Sequence, residues 1–404
     1  MSTSLLYHAF GVRGYQYVRT EYEAGHTLFT IRQPPEQWRC PACGSRDVIG
    51  RGVVERRLRT IPIGGRRVSL VLPVQRVGCR ACDVVRQCDL GFADPGRSYT
   101  RAFERYALEL SHHMTIQAVA RHLNVSWDII KDIQKRDLQR RFARPDLSDL
   151  RQIAIDEIYI GKGHCFVTVV LDLVSGAVVF VGDGKGAGAL EPFWKRLRRS
   201  GAEIEAVAID MSAAFILAVS THIPWAVLVF DHFHVIKLFN EKLSQLRRDL
   251  YLEATTEADQ QVLMGTRWLL LKNPENLDPA RDELQRLEKA LQLNQPLATA
   301  YYLKEDLRLL WAQPDKATAT QFLASWIARA EASGIRLLRS FAATLQRHEE
   351  GILAYYDYRI STGPLEGTNN KIRTFQRQAY GFRDLEFFKL KILALHQSKY
   401  ALVG

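Results

Sequence analysis

The hydrophobic pattern changes its period several times along this chain of 404 residues. Between residues 51 and 77, apolar and polar positions alternate in two runs, which a Gly64-Gly65 pair joins. Alternation with a two-residue glycine link predicts a β-hairpin. From residue 98 to residue 141 the apolar positions recur every three or four residues, which is the period of helices. A β-rich part is therefore followed by an α-helical one.

The stretch TIQAVARHLNVSWDIIKDIQKRDLQRR predicts two helices separated by a turn at Asn124-Val125. Ser126 can cap the second helix, whose inner face carries apolar residues. The same helix carries three basic residues of interest, Lys131, Lys135 and Arg136. This is a helix-turn-helix pattern, and its second helix can enter the major groove of DNA. An ordinary pair of packed helices has the same pattern, so that alternative stays open.

The period changes again at residue 151. Short apolar runs and helical segments follow one another up to residue 235 in the order β-β-β-α-β-α-β. This order predicts a mixed sheet with helices on its faces, in which the first and fourth strands can lie side by side. From residue 236 to residue 350 every segment has the helical period, and no sixth strand is predicted.

Acidic residues interrupt these apolar strands. Asp156 lies inside the first strand, Asp210 ends the fourth, and Asp231 and His234 follow the fifth. An isolated buried carboxylate is very costly. The strand aspartates are therefore expected to pair with cations or to form a functional site.

A third acid, Glu366, lies near the start of a helix predicted for GPLEGTNNKIRTFQRQ. A helical wheel places four polar side chains in one stripe, Glu366, Asn370, Arg373 and Arg377. If Glu366 joins the two strand aspartates, three carboxylates can hold two Mg²⁺ ions about 3.5–4 Å apart and support phosphodiester cleavage. The alternative is that Glu366 only caps the helix and the basic residues form a solvated face.

The composition is that of a globular protein, with 47% hydrophobic and 25% charged residues. The chain has no uninterrupted run of 18 apolar residues that could span a membrane, and its first residues lack an export signal. We therefore expect a cytoplasmic protein. The net charge is +11, and residues 1–150 carry +9 of it. Such a concentration of positive charge attracts nucleic acid, although it also serves solubility.

The six cysteines divide into two kinds. Four of them form the CPAC and CRAC pairs on either side of the predicted hairpin, Cys40, Cys43, Cys79 and Cys82. Four thiolates in two such turns suit the tetrahedral coordination of one structural Zn²⁺, which predicts a zinc ribbon. Four buried free cysteines are the alternative. Cys88 and Cys165 stand alone and are predicted to be core residues.

Taken in chain order, these motifs are similar to those of one known family. The sequence CPAC…CRAC, the helix-turn-helix, IAIDE, AIDMSAAF, VFDHFHVIKL and GPLEGTNNKIR…GFRD resemble the DDE transposases of bacterial insertion sequences, of the ISL-three type. The resemblance covers nearly the whole chain, and its last three motifs are specific. It implies a multidomain α/β protein with a ribonuclease-H-like mixed-sheet catalytic core that is interrupted by an all-α insertion and preceded by the zinc ribbon and the helix-turn-helix.

The resemblance and the pattern together predict six segments. They are an N-terminal segment (1–35), a zinc ribbon (36–92), a helix-turn-helix DNA-binding domain (93–145), the first part of the core (146–236), the all-helical insertion (237–350) and the final core helices with the third acid (351–404).

Residue by residue, the resemblance implies that Asp156 is the first catalytic acid, Asp210 the second and Glu366 the third. Asp231 is the alternative second acid, and Asp210 is preferred because the second ligand in this fold ends the fourth strand. Three residues are expected to support the site, Asp231, His234 and Asn370. The basic residues expected to contact DNA are Lys131, Lys135, Arg136, Lys371, Arg373 and Arg377.

The resemblance further implies two Mg²⁺ or Mn²⁺ ions per active site and cleavage and transfer of DNA strands. The expected partners are the double-stranded terminal inverted repeats of the element and target DNA, with no membrane. A homodimer is expected when DNA is bound, in the bacterial cytoplasm at the nucleoid. Two other functions stay open, a DNA-binding regulator with a silent core and a repair or junction nuclease.

Overall fold

The computed structural model describes residues 5–161 and 165–396. It divides the chain into two compact units, of which the first ends at Arg140 and the second begins at Arg141. Each unit has its own sheet and its own hydrophobic clusters. Among the described residues, no helix is long and apolar enough to cross a membrane.

The first unit contains a sheet followed by three helices. Its elements are α1 (Leu5–Phe10), β1 (Gln16–Glu23), β2 (His26–Arg32), β3 (Val48–Ile63), β4 (Arg66–Cys79), β5 (Val85–Gln87), α2 (Arg101–Ser111), α3 (Ile116–Leu123) and α4 (Trp127–Arg141). The strands lie in the order β1-β2-β4-β3, and β5 also pairs with β4. Only the pairing of β2 with β4 is parallel among these strands.

The predicted hairpin is confirmed as the antiparallel pair β3 and β4. Ile63 pairs with Arg66, so Gly64 and Gly65 form the whole two-residue turn. Their φ angles are 54° and 77°, the left-handed values that a tight hairpin turn needs and that glycine adopts without strain.

The structure differs from the prediction for residues 1–35, which were expected to form a segment of their own. Strand β2 pairs with β4, and Phe10 and Ile31 lie in the same apolar cluster as Leu58 and Leu70 of the hairpin. The sequence pattern could not predict the pairing of β2 with β4, because the two strands are about forty residues apart in the chain. Strands β1 and β2 therefore belong to the sheet of the zinc-ribbon hairpin, and α1 packs against it through Phe10.

Helices α3 and α4 lie where the sequence pattern predicts the helix-turn-helix. Asn124 has a left-handed φ of 50° and ends α3, and the Ser126 hydroxyl accepts a hydrogen bond from the backbone N–H of Ile129 at 3.4 Å. Ile130 and Ile133 are fully buried with Phe103 of α2. The apolar stripe therefore packs the three helices together.

The second unit contains a five-stranded mixed sheet and many helices. The strands are β6 (Gln152–Gly161), β7 (Cys165–Asp172), β8 (Val178–Asp183), β9 (Ala206–Ile209) and β10 (Val227–Phe230). Helices α5 (Glu191–Ser200) and α6 (Ala213–His222) connect the last three strands. The sheet order is β10-β9-β6-β7-β8, in which β6, β7 and β8 form an antiparallel meander and β6, β9 and β10 are parallel. This is the ribonuclease-H-like order, and strands one and four lie side by side as predicted.

A helical block fills the chain between β10 and the final helices. Its helices are α7 (His232–Glu253), α8 (Glu257–Gly265), α9 (Arg267–Leu271), α10 (Glu283–Leu293), α11 (Gln295–Arg308), α12 (Lys316–Ala332), α13 (Arg336–Arg347) and α14 (Glu349–Leu353). All of residues 232–362 are described, and they contain no strand. The aromatic rings of Phe239, Trp326 and Phe341 pack edge to face within the block. The block begins at His232, a few residues before the predicted boundary.

The two faces of the second sheet are covered by different elements. Ile153 and Ile155 of β6 pack into a cluster that includes helix α5 and the helical block. Ala154 and Ile158 point to the other face, where the final helices α15 (Gly363–Gln378) and α16 (Leu385–Leu393) lie. Because side chains alternate along a strand, Asp156 points to the face that α15 covers.

Candidate active site and zinc centre

The structure brings the two strand aspartates together. The parallel register of β6 and β9 pairs Ala154 with Ala208, and each aspartate comes two residues later, Asp156 within β6 and Asp210 directly after β9. Both acids therefore lie at the same level of the sheet, at the carboxyl end of β9, and on the face that α15 covers. Each is partly buried.

The environment of Asp156 disfavours its charged form. Burial raises the pKa of this carboxyl, and the negative charges of Asp210 and Glu157 raise it further. The backbone N–H of Glu157, which donates to Asp156 Oδ1 at 2.8 Å, and the charge of His234 act in the opposite direction. Two half-buried carboxylates that repel each other form a site that suits a divalent cation.

An asparagine on α15 holds Asp156 in place. Asn369 Nδ2 donates to Asp156 Oδ2 at 2.8 Å, and the residue is 4% exposed. Its own side-chain oxygen has no hydrogen-bond partner. The neighbouring Asn370, the asparagine that the sequence predicts to support the site, is exposed. Asn369 shares the buried face of the helix with Leu365 and Ile372, and this helical spacing could have identified it from the sequence.

Glu366 lies in the first turn of α15, one turn before Asn369, and is exposed. Its backbone N–H donates to the carbonyl oxygen of Thr362 at 2.8 Å. In the parts of the chain that the structure describes, the four cysteines are the only group of three or more potential metal ligands whose ligand atoms all lie within 4.8 Å of one another. Glu366 therefore lies on the helix that covers the two aspartates but does not form such a group with them.

Asp231 is placed differently from Asp210. It is 2% exposed, and its Oδ2 accepts a hydrogen bond from the Thr362 hydroxyl at 2.7 Å and lies 3.1 Å from His234 Nδ1. Burial alone would raise the pKa of Asp231, but these hydrogen bonds and the charges of His232 and His234 lower it. Thr362 and His234 therefore engage one oxygen of this carboxylate, and the other, Oδ1, is buried without a hydrogen-bond partner. Because Asp231 is almost fully buried and already bonded at Oδ2, whereas Asp210 is partly exposed, Asp210 is favoured as the second acid.

His234 links this buried pair to the two strand aspartates. The hydrogen bond to Asp231 raises the pKa of His234, and the charges of Asp231, Asp156 and Asp210 raise it too, against the effect of burial. The raised pKa means that the imidazolium persists to higher pH than in a free histidine. His234 therefore supplies positive charge beside an acidic cluster.

The four predicted zinc ligands form a compact group. Cys40 Sγ and Cys82 Sγ are 3.6 Å apart, and the same distance separates Cys43 Sγ from Cys79 Sγ. Zn–S bonds of about 2.3 Å in a tetrahedron place the sulfurs about 3.8 Å apart, so the four thiolates fit one structural Zn²⁺. Cys88 is buried and lies apart from this group, 3.8 Å from the backbone oxygen of Arg39. The prediction of a structural zinc site is supported by this geometry.

The basic residues predicted to contact DNA fall into two groups. Arg136 points into the helix-turn-helix, where its guanidinium donates to the Tyr99 hydroxyl and lies 3.6 Å from Glu104. This placement makes it an internal brace, a correction that the sequence could not anticipate because both partners lie more than thirty residues away. Lys131 Nζ lies over the ring of Trp127, 5.6 Å from the ring centroid, and Trp127 itself is 42% exposed.

The other basic candidates lie on the solvent face of α15. Lys371, Arg373 and Arg377 are all exposed. Lys371 Nζ lies 3.1 Å from His396 Nε2. The stripe drawn on the helical wheel is thus the exposed face of the helix, and it includes Glu366 and Asn370.

A ribonuclease-H-like sheet with adjacent acids, joined in one chain to a helix-turn-helix and a four-cysteine zinc ribbon, defines a transposase of the DDE class. Family models agree with this architecture along the chain. Residues 153–392 match a DDE transposase model, residues 88–137 the helix-turn-helix domain of transposase family ISL3, and residues 36–82 the zinc finger of the transposases of IS204, IS1001, IS1096 and IS1165. The chain belongs to the ISL3 family of insertion-sequence transposases.

Individual proteins similar to this chain include two insertion-sequence transposases, of which the first is similar enough to support the family assignment. The chain is 35% identical to the transposase for insertion sequence element IS1001 of Bordetella parapertussis, over 95% of this chain and 96% of that one. It is 29% identical to the transposase for IS1557 of Mycobacterium tuberculosis, over 85% and 82% of the two chains. Among solved structures, the Drosophila P element transposase strand transfer complex aligns with a TM-score of 0.38 and 12% identity, over 73% of this chain and 92% of that one.

Proposed function

We propose that the protein binds the terminal inverted repeats of its insertion sequence and catalyses metal-dependent cleavage and transfer of DNA strands. The observation that carries this proposal is the placement of Asp156 beside Asp210, on the sheet face that the Glu366 helix covers. A donor set made only of carboxylates suits hard divalent cations.

Asp156, Asp210 and Glu366 are the residues that would hold two Mg²⁺ or Mn²⁺ ions. When bound, such ions neutralise the charge that develops on the phosphodiester and make a nucleophile available at neutral pH. Asn369 fixes the orientation of the Asp156 carboxylate through its hydrogen bond. The buried Asp231 and Thr362 orient His234, which adds positive charge beside the acids.

DNA recognition is assigned to the helix-turn-helix, the zinc ribbon and the exposed face of α15. On α4, Lys131 and Lys135 contact DNA, whereas Arg136 keeps the helix in position through Tyr99 and Glu104. On α15, Lys371, Arg373 and Arg377 bind phosphates close to the third acid. Lysine and arginine contacts of this kind position a duplex through its backbone.

The protein acts as a homodimer on DNA, because transposition holds two element ends together. It works on chromosomal and element DNA in the bacterial cytoplasm, at the nucleoid. Double-stranded transposon ends and target DNA are its substrates.

The test is incubation of the protein with a duplex that carries the element's end sequence, in the presence of Mg²⁺ or Mn²⁺, and mapping of the cuts on both strands. We expect cleavage at the element boundary that depends on the metal, and strand transfer when target DNA is added. Cleavage of branched DNA without preference for the ends would point to a junction nuclease. Tight binding without cleavage at any protein concentration would point to a regulator.

The two neighbouring asparagines of α15 provide a matched pair of variants. Asn369→Ala removes the hydrogen bond to Asp156 and should lower the cleavage rate about 10- to 100-fold, as is typical for residues that orient a metal ligand. Asn370→Ala changes an exposed side chain and should cleave at close to the wild-type rate. Single-turnover cleavage at saturating DNA separates this effect from binding. Equal rates for the two variants would contradict the role of Asn369.

A further inference from the structure

A cluster of arginines surrounds one histidine in the sheet of the first unit. Arg57 Nη2 lies 2.8 Å from His26 Nδ1, and Arg59 Nη1 lies 3.4 Å from His26 Nε2, which also faces the Ser69 hydroxyl at 3.0 Å. Arg67 is close enough for its charge to act on both His26 and Arg59. We call His26, Arg57, Arg59 and Arg67 the arginine cluster.

The arginine cluster carries more positive charge than its surroundings balance. One carboxylate is nearby, Glu23, whose Oε2 lies 3.5 Å from Arg57 Nη1. No carboxylate of the described residues lies within 4.0 Å of Arg59 or Arg67. Arg59 Nε is buried without a hydrogen-bond partner. Burial lowers the pKa of Arg59, and the charges of Arg67 and Arg57 lower it further, so the guanidinium groups repel one another. An anion would relieve this repulsion.

The arginine cluster lies at the turn of the helix-turn-helix. Arg59 Nη2 donates to the backbone oxygen of Leu123 at 3.1 Å, at the end of α3. The side-chain amide of Asn124, the left-handed residue of the turn, lies against the guanidinium of Arg67. Helix α4 begins three residues later at Trp127. The positive charge is therefore fixed beside the start of the helix that is proposed to read DNA.

We propose that the arginine cluster binds one backbone phosphate of duplex DNA next to the turn of the helix-turn-helix. This inference rests on the proposed function and adds a contact made by the β-hairpin, outside the helices. Guanidinium groups present planar forks of donors that match phosphate oxygens. His26 stays neutral because burial and the neighbouring arginines lower its pKa, so it holds Arg57 in place by accepting its hydrogen bond at Nδ1. The competing explanation is that the cluster only braces the hairpin against α3.

The test compares two double variants. The cluster variant carries both Arg57→Gln and Arg67→Gln, and the control variant carries both Arg51→Gln and Arg66→Gln. All four arginines are exposed residues of β3 and β4, and each double variant removes the same charge. The dissociation constant for end-containing duplex is measured against salt concentration, and zinc content checks the fold. We expect the cluster variant to bind about tenfold more weakly and to lose about 0.9 from the salt slope relative to the control. The loss should be the same for unrelated duplexes, because phosphate contacts carry no sequence information.

A second measurement acts on the DNA and does not depend on the fold of a variant. Single neutral methylphosphonates are placed in turn along the end duplex, and binding of the wild-type protein and of Arg67→Gln is compared. The proposal requires one position whose penalty in the wild type is largely absent in the variant, which is a double-mutant cycle between the side chain and the phosphate. If every position gives equal penalties in both proteins, or if the two double variants bind alike, the cluster is only a brace. If the wild type itself shows no preference for the element's ends, the proposed function fails instead.

Discussion

The variant Asp156→Asn is expected to bind transposon-end DNA normally and to cleave it at least about a thousandfold more slowly than the wild type, the scale on which single groups of a catalytic unit act. Asparagine keeps the size of the side chain but removes the negative charge. Asp156 lies beside Asp210 on the sheet face that α15 covers, and Asn369 orients its carboxylate. A neutral amide in this position binds a divalent cation poorly, because such ions prefer carboxylate oxygens.

The same substitution should not destabilise the protein. Burial and the charge of Asp210 raise the pKa of Asp156 in the folded state. A carboxyl with a raised folded pKa opposes folding once the pH exceeds its unfolded value of about 4. We therefore expect Asp156→Asn to increase Tm by a few degrees at pH 7 and to lose this advantage as the pH falls towards 4.

The control for this prediction is Asp183→Asn. Asp183 ends β8 in the same sheet, its side chain is 65% exposed, and its partner is Lys389 at 2.8 Å. Removing its charge should leave cleavage within about twofold of the wild type, because exposed ion pairs contribute little. Single-turnover cleavage, DNA binding and thermal unfolding are measured for both variants. Cleavage by Asp156→Asn at a rate near that of the control would exclude Asp156 as a metal ligand.

Loss of the zinc ion should have the second large effect. Removing a zinc ligand with Cys79→Ser, or stripping the metal with a chelator, should unfold the end of the β3–β4 hairpin and abolish specific DNA binding. The four cysteines join residues 40–43 to the end of β4, and structural zinc sites contribute an apparent 10–16 kcal/mol to small domains at about pH 7. Without the metal, the end of β4 keeps only its strand pairing with β3 and with the three-residue strand β5.

Cys88→Ser provides the matched control for the zinc prediction. Cys88 is buried in the same unit but lies outside the four-cysteine group. Elemental analysis should give one Zn²⁺ per chain for the wild type and for Cys88→Ser, and much less for Cys79→Ser. Circular dichroism and binding to end DNA should follow the zinc content. A Cys79→Ser protein that retains one Zn²⁺ would show that the metal has a different set of ligands.

The parts of the fold that the sequence predicts are those fixed by local patterns. The Gly64-Gly65 pair identifies the hairpin because only glycine adopts two consecutive left-handed conformations at no steric cost. The order of strands and helices after residue 151 follows from a change of period that many residues share. The adjacency of the strands that carry Asp156 and Asp210 follows from that order, and the observed register places the two acids together.

The features that the sequence does not predict depend on residues far apart in the chain, or on which of two neighbouring helix residues is buried. Neighbouring residues of a helix point about 100° apart around its axis. Asn369 is therefore buried, whereas Asn370, one residue later, is exposed. Arg136 is a basic residue on a helix whose sequence predicts a DNA-binding surface. Its contacts with Tyr99 and Glu104 hold it inside the first unit. Strands β2 and β4 pair although they are far apart in sequence. The hydrophobic pattern of a strand predicts the strand itself but not which other strand it pairs with.

The hydrogen bond from Thr362 to Asp231 spans 131 positions of the chain. It ties the residue just before the helical block to the residue just before α15, so the chain enters the block and returns from it at the same point of the sheet. The entropy of closing such an excursion grows only with the logarithm of its length, at about 0.6 kcal/mol for each doubling. A change in the length of the block therefore costs little closure entropy, provided that the helices that pack on the sheet are kept, and the two ends hold Asp231 and the start of the Glu366 helix in register.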